Sequence, residues 1–479
     1  MNRFRPLVIA AIAGVTLAAL PLLAGAQTRA DAGHPDVLVV GGTPAGVAAA
    51  LAAARRGERV TLVSAAGDLG GILSDGMMDQ WDLNLAPDGS TVERGIFSEM
   101  YARLGPAFEP ATAARVFADM VAAEPRITVW YDESPIAVRT HATVDGTHVD
   151  GVVFRARHSG KTAQVDAPFV IDASDSGDVA ALAGAHYDLG RQDTGIDERT
   201  QAVTLMFAVD GVDWPALAAS YDDKRDGPGG VTDHGAWGYA DLMRGYQPLS
   251  PNVVVRGLNL GRLRDGSVTF NAIDVVGIDG LDPKQLALAR QLTMREAPHL
   301  LDFLRAHQPG FTDAKVSRFA RDVYVRETRH ISGLERLTTN DVWDAKVPAD
   351  SIGLASYPLD VHPVTTTDEP AFAPTRHVYG VPFGALVPKG LDNLLVASPA
   401  ISASHVAAGS ARIVPTTIEE GEAAGVASAL ARATAIDFVQ LAGAPERIVA
   451  LRGELSAEGV LVGEPSATHV AYVKGNHPR

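Results

Sequence analysis

Apolar residues crowd positions 36 to 40 (DVLVV), recur along PAGVAAALAAARRG as far as Gly57, and crowd RVTLVS at 59 to 64. Strand, helix and strand within about 30 residues predict a parallel β-α-β unit, since parallel pairing needs a crossover helix. A helical pattern over 111–123 leads into a further strand, ITVWY. From His148 the text alternates like a hairpin and ends in the buried strand PFVIDA at 168–173. Residues 195–375 change character: glycine and proline are frequent, AVTLMFAVDGV reads as strand, and PKQLALARQLTMREAPHLLDFLRAH reads as a long helix. The expectation is an inserted α+β domain. Short strands and tight turns return at 376–435, closing in the small-residue helix EEGEAAGVASALARA, and 436–479 reads as a short appendage. The fold class is therefore α/β, with a Rossmann-like domain in two pieces, 34–194 and 376–435.

The N-terminus changes the picture of where the chain works. Arg3 and Arg5, an apolar run from Leu7 to Leu23 and the small residues Ala24-Gly25-Ala26 form a secretory-signal pattern over 1–26. The expected mature chain starts near Gln27 and is periplasmic or secreted. The alternative is an uncleaved anchor, though the run is short for a span and Pro21 interrupts it. The formal charge of −16 argues against nucleic acid and anionic membrane surfaces as partners. Cysteine is absent, which excludes disulfides, thiolate catalysis and iron–sulfur ligation. Redox chemistry in this chain would rest on a bound cofactor. The histidines show no metal-ligand spacing.

The first turn, GGTPAG at 41–46, resembles a dinucleotide-binding fingerprint with Thr43 at the middle glycine position. Gly41 permits the tight turn and Gly46 the close strand–helix approach. Thr43 is a good N-cap before Pro44, so it can start the helix and point its hydroxyl at a phosphate. A packing turn with no ligand is the alternative. At the end of the second strand, where such folds place an acid on the ribose, Ser64 stands instead.

The run from Val39 through GDLGGILSDG resembles the FAD-dependent oxidoreductases of the glutathione-reductase structural class, which includes the fumarate-reductase-like flavoproteins. Four further stretches carry the same resemblance in the same order: FEPATAARVFADMV, FVIDASDSGDVAALAGAHYDLGRQ, YVRETRHISGLERLTTNDV, and the block from Leu386 to Gly425. The resemblance implies a glutathione-reductase-type domain binding FAD. Gly41, Gly42, Thr43, Pro44 and Ala45 would lie along the pyrophosphate, Gly46 would complete the cofactor-binding turn, and Ser64 would lie at the ribose. Gly70, Gly71 and Ser74 would lie near the diphosphate–ribityl end. Ala173, Ser174 and Asp175 replace a more usual Ala-Thr-Gly, and Asp178 would bind a ribityl hydroxyl or cap the following helix. Thr416 and Thr417 would begin the helix that faces the pyrimidine end of the flavin, with Glu419 and Glu420 in its first turn.

Three catalytic candidates follow. His405 lies in the loop expected to meet the ring and is suited to proton transfer. Arg412 would hold a substrate carboxylate or the flavin's pyrimidine oxygens, or form a surface ion pair. Arg326, Arg329 and His330 share a helical face if RETRH is helical, where they would anchor an anionic substrate or pair with Glu327, Asp322 or Glu335. A second, nicotinamide-binding fingerprint is absent. The expected activity is oxidation of a small organic or sugar-derived substrate by hydride transfer to FAD, with oxygen or an external acceptor as partner. Reduction of an activated double bond and non-catalytic FAD or ADP-ribose binding are the alternatives.

Overall fold

The computed structural model describes residues 34–86, 88–144, 146–368, 371–373 and 378–463. The signal-like segment 1–26 and the domain boundary expected at 375/376 lie outside them. Strand β1 (Val37–Val40), helix α1 (Pro44–Arg55) and strand β2 (Val60–Val63) form the expected crossover unit. Strand β3 (Ile127–Trp130) extends the sheet beyond β2. Strands β4 (Glu133–Ala142), β5 (Thr147–Ala156) and β6 (Thr162–Asp166) make a separate antiparallel sheet of three strands, one more than the expected hairpin. Strand β7 (Phe169–Asp172) leaves that sheet and pairs parallel with β1, Val37 opposite Phe169. The strand Leu394–Val396 then adds in parallel to β7. The parallel order is Leu394–Val396, β7, β1, β2, β3. Its central strands are buried along their whole length, which is why they read as unbroken apolar runs rather than alternating ones.

Helix α1 is alanine-rich because it is enclosed. It packs against the helix Val414–Thr434, where a Cβ at Gly421 would overlap the carbonyl of Ala45 and one at Gly425 the carbonyl of Ala49. Small residues on both helices let the backbones approach this closely. The inserted region carries a six-stranded antiparallel sheet in the order Gly230–Val231, Gly235–Gly238, Leu258–Arg262, Val268–Phe270, Phe207–Asp210, Lys315–Phe319. The helix Pro283–His307 covers the hydrophobic cluster beside it, its start set by Asp282, whose carboxylate accepts from the Lys284 amide. The result is a mixed α/β fold with a Rossmann-like parallel core.

Two expectations need correction. The last long helix begins at Val414, not at Glu419, because Pro415 in its first turn lacks the N–H that a later helical position would need. Glu419 and Glu420 therefore fall beyond the first turn, and both are buried. Residues 436–463 are also no loose appendage. The helices Phe438–Ala442 and Pro445–Ala457 bury Phe438, Leu451 and Leu455 in the main core, with the Phe438 ring 5.1 Å from that of Phe169. The apolar spacing Ile448, Leu451, Leu455 is the helical signal that marks this face.

Candidate functional site

The site begins where β1 ends. The Gly41 amide donates to Val63 O over 2.8 Å, and its φ of +127° is one that glycine adopts without strain. A Cβ at Gly41 would overlap the carbonyl of Ala173, one at Gly42 the hydroxyl of Ser64, and one at Gly46 the carbonyl of Gly41. Three chain segments thus meet too closely for any other residue. Thr43 is the N-cap of α1, but its hydroxyl is not aimed at a phosphate. It donates to Ala173 O (3.0 Å) and accepts from the Gly46 amide (3.1 Å). What the turn offers a ligand is backbone: the amides of Gly42, Thr43 and Ala45 have no partner among the described residues. Amides without partners at a helix start favour an anion such as a pyrophosphate.

Gly41, Gly42, Thr43, Pro44 and Ala45 form one end of a cavity of about 820 Å³, within the size range of cofactor sites. Ser64 and Gly71 line it too. Ser64 is turned into its own loop, donating to Asp68 O (2.9 Å) and accepting from the Ala66 amide (3.2 Å), so its side chain staples the loop that follows β2. Gly70 and Ser74 sit just behind the lining: the Gly70 amide donates to Gly42 O (2.7 Å), and Ser74 Oγ to Gly71 O (3.3 Å).

At the end of β7 the buried Asp172 organises the next turn. Its carboxylate accepts from the hydroxyl and amide of Ser174 and from the Ala180 amide, while burial pushes its pKa up to about 6. Ala173 is buried behind Gly41. Ser174 lines the cavity with its hydroxyl already committed to Asp172 and the Asp178 amide. Asp175 lies exposed on the cavity wall; the enclosing protein and the charges of Asp178 and Asp322 push its carboxyl up to about 6. Asp178 lines the cavity, and its carboxylate pairs with Arg329 at 2.9 Å, which leaves the following helix uncapped by it.

Tyr324, Arg326, Arg412, Val414 and Thr417 line the same cavity. Thr416 points away and accepts from Asn84 Nδ2 (3.0 Å). RETRH is not helical: Arg326, Glu327 and Thr328 are irregular and Arg329 opens the strand Arg329–Ile331, so helical spacing does not govern it. That sends Arg326 to the cavity, Arg329 to Asp178, and His330 inward. His330 Nε2 (2.9 Å) and His405 Nδ1 (2.6 Å) both reach Oε1 of the buried Glu327. His405 is the first residue of the helix His405–Ala411 rather than part of a loop, and neither histidine is on the cavity wall. Sequence reasoning missed Tyr324, Asp274, Asp360 and His362, which surround the two arginines. They come from segments distant in the chain and form no motif. Among the described residues no group of acidic or histidine side chains is arranged to hold a metal ion, and no helix is long and apolar enough to cross a membrane.

The glycine-enforced turn and the partnerless amides beside a partly open cavity suit a dinucleotide on a Rossmann-like core. Residues 36–455 match the family model described as FAD dependent oxidoreductase, and the chain belongs to that family: it is an FAD-dependent oxidoreductase. No curated protein matches it. Among solved structures it is similar to a geranylgeranyl bacteriochlorophyll reductase-like protein from Thermoplasma acidophilum, with 14% identity, 88% of this chain and 83% of that one covered, and a TM-score of 0.44. It is also similar to the flavin-dependent brominase Bmp2, with 12% identity, 88% and 84% covered, and a TM-score of 0.44. The myxobacterial chondrochloren halogenase CndH gives 14% identity, 87% and 77% covered, and a TM-score of 0.41.

Proposed function

We propose that the protein is an exported dehydrogenase or oxidase of a small organic or sugar-derived substrate, with an FAD domain built on the glutathione-reductase pattern. One observation carries this reading: a single cavity joins the partnerless amides of Gly42, Thr43 and Ala45 to a polar end formed by Tyr324, Arg326 and Arg412. Those amides and Gly71 would hold the pyrophosphate, with Ser64 on the adenosine side. Val414 and Thr417, at a helix start with no acidic residue in its first turn, would face the acceptor atoms of the ring. FAD supplies a two-electron acceptor for a hydride. The protein's part is to orient the substrate against that acceptor, exclude water and take up a proton. Arg326 and Arg412 would fix the substrate, while His330, His405 and Arg329 brace the segments that carry them. Export rests on Arg3, Arg5, the apolar run and the small-residue site at 24–26. Outside the cytoplasm a pool of reduced nicotinamide is not expected, which favours an organic electron donor.

The test is spectroscopic. Purified protein should be yellow, release FAD on denaturation, and bleach anaerobically with one class in a panel of sugars and hydroxy acids. Rapid bleaching by NADPH with none by the organic panel overturns the proposal.

A further inference from the structure

Six side chains close into a ring, of which Tyr324, Arg326 and Arg412 line the cavity. Arg326 Nη1 lies 3.4 Å from Asp274 Oδ1. Asp274 Oδ2 lies 3.0 Å from His362 Nδ1, and His362 Nε2 lies 3.5 Å from Asp360 Oδ2. Asp360 Oδ2 accepts from Arg412 Nη2 at 3.1 Å, and Arg412 Nη1 donates to the Tyr324 hydroxyl oxygen at 2.6 Å. The Tyr324 ring closes the circuit beneath the Arg326 guanidinium, 4.6 Å from its centroid. Asp274 and Asp360 each lie between an arginine and His362, and Tyr324 lies between the two arginines, so each group fixes its neighbours.

The ring has donors left over. The Tyr324 oxygen accepts from Arg412, so its own proton is directed elsewhere, and no acceptor for it stands among the described residues. Tyr324 is half-buried and lines the cavity. Nε of Arg326 and Nε of Arg412 are buried without partners. The helix Val414–Thr434 starts beside them with neither a side-chain cap nor an acid in its first turn. A donor without an acceptor is costly; the two Nε atoms are out of a ligand's reach, but the Tyr324 hydroxyl and the helix start line the cavity and would be satisfied by a ligand that only accepts.

Charge narrows the ligand. The two guanidinium groups balance Asp274 and Asp360, so the imidazole of His362 decides whether a positive charge is left over. Burial and the neighbouring Arg326 oppose that charge, but the carboxylates of Asp274 and Asp360 outweigh both and hold His362 above its usual value. Asp82 and Tyr357 lie close to the ring, and burial with the charge of Asp360 pushes the Asp82 carboxyl up. Protonation of either His362 or Asp82 therefore shifts the ring towards positive.

We propose that this ring is the ligand-binding end of the cavity: the Tyr324 hydroxyl donates to the carboxylate of a small organic acid, and His362, acting through Asp360 and Arg412, is the positioning residue that matches the ring's charge to that anion. This rests on reading the cavity as the oxidoreductase's substrate site.

Benzoate is the probe, added to the holoenzyme and read by flavin absorbance and, independently, by the rise in the thermal unfolding midpoint. Wild-type affinity should fall by about ten-fold between about pH 6 and about pH 9, as His362 loses its proton. Tyr324→Phe should weaken binding by about ten-fold or more throughout while retaining flavin. His362→Gln, which cannot titrate, should show a much smaller fall over the same range, leaving only the contribution of Asp82. In wild-type protein, benzoate should raise the midpoint of the His362 imidazole titration followed by NMR, because the coupling is reciprocal. An unchanged midpoint, unimpaired binding by Tyr324→Phe, or a pH slope in His362→Gln as steep as in wild type overturns the assignment; the NMR measurement needs no variant. Absence of benzoate binding in an enzyme that uncharged donors still reduce defeats this inference and leaves the oxidoreductase reading standing.

Discussion

Nδ1 of His405 lies 2.6 Å from Oε1 of Glu327, the oxygen that His330 also reaches, and the other carboxylate oxygen accepts from the Gln201 amide at 2.9 Å. This contact ties the helix leading to Arg412 to the segment carrying Arg326. Burial opposes the charge on Glu327, but hydrogen bonds from the two histidines outweigh it and bring its carboxyl down to about 2. A lowered carboxyl contributes stability above its unfolded value and loses it as pH falls towards the folded one. Glu327→Gln should therefore cost about 2 kcal/mol at neutral pH, the order of losing hydrogen bonds to a buried carboxylate. Denaturant unfolding should show the gap between wild type and variant narrowing between about pH 4.5 and about pH 2.

The opposite sign is expected beneath the last helix. Glu93, Glu419, Glu420 and Glu422 are all buried, and burial pushes Glu93 and Glu422 up to about 7 and the other two well above their usual value. Neither carboxyl oxygen of Glu420 has a partner among the described residues. A raised carboxyl holds its proton in the folded state, so it costs stability progressively as pH rises above the unfolded value. Glu420→Gln, uncharged and of the same shape, should stabilise by about 1–2 kcal/mol near pH 8 and change little near pH 5. Equal effects on the thermal midpoint at both pH values would contradict this account.

At the turn, backbone proximity should matter more than side-chain hydrogen bonds. Gly46→Ala forces a Cβ into the carbonyl of Gly41 and should lose about 3 kcal/mol together with most bound FAD. Ser64→Ala removes only the loop staple and should cost about 1 kcal/mol. FAD per chain and the thermal midpoint, measured on both variants, separate the two effects; similar losses would mean that the glycine spacing is not what shapes the cradle.

The two arginines of RETRH should part company. Arg329 pairs with Asp178, whose side chain is 44% exposed, so Arg329→Gln should cost under about 1 kcal/mol and leave the flavin spectrum unchanged. Arg326 is 2% exposed and faces Asp274, so Arg326→Gln should cost about 3 kcal/mol and perturb the spectrum. The comparison needs only urea unfolding and absorbance on each purified variant, and an equal pair of outcomes would show that the structure misassigns their roles.

Much of the fold was legible because its signals are local. Buried parallel strands read as apolar runs, the crossover helix is announced by Thr43 and Pro44, and the helix Pro283–His307 by Asp282 followed by proline. The start of the last helix was misplaced although Pro415 marks it. The helices after 436 were overlooked although Ile448, Leu451 and Leu455 carry the period.

The sequence by itself determined the glycine turn after the first strand and the parallel core, since glycine spacing and unbroken apolar runs are constraints a chain satisfies within a few residues. Only the tertiary structure decided that Thr43 spends its hydroxyl on Ala173, that His405 belongs to Glu327, and that Tyr324, Asp274, Asp360 and His362 join the two arginines in one ring. A hydrogen bond or ion pair depends on distances of about 3 Å between groups that may be a hundred residues apart in the chain, and no local pattern encodes which of many polar residues will meet.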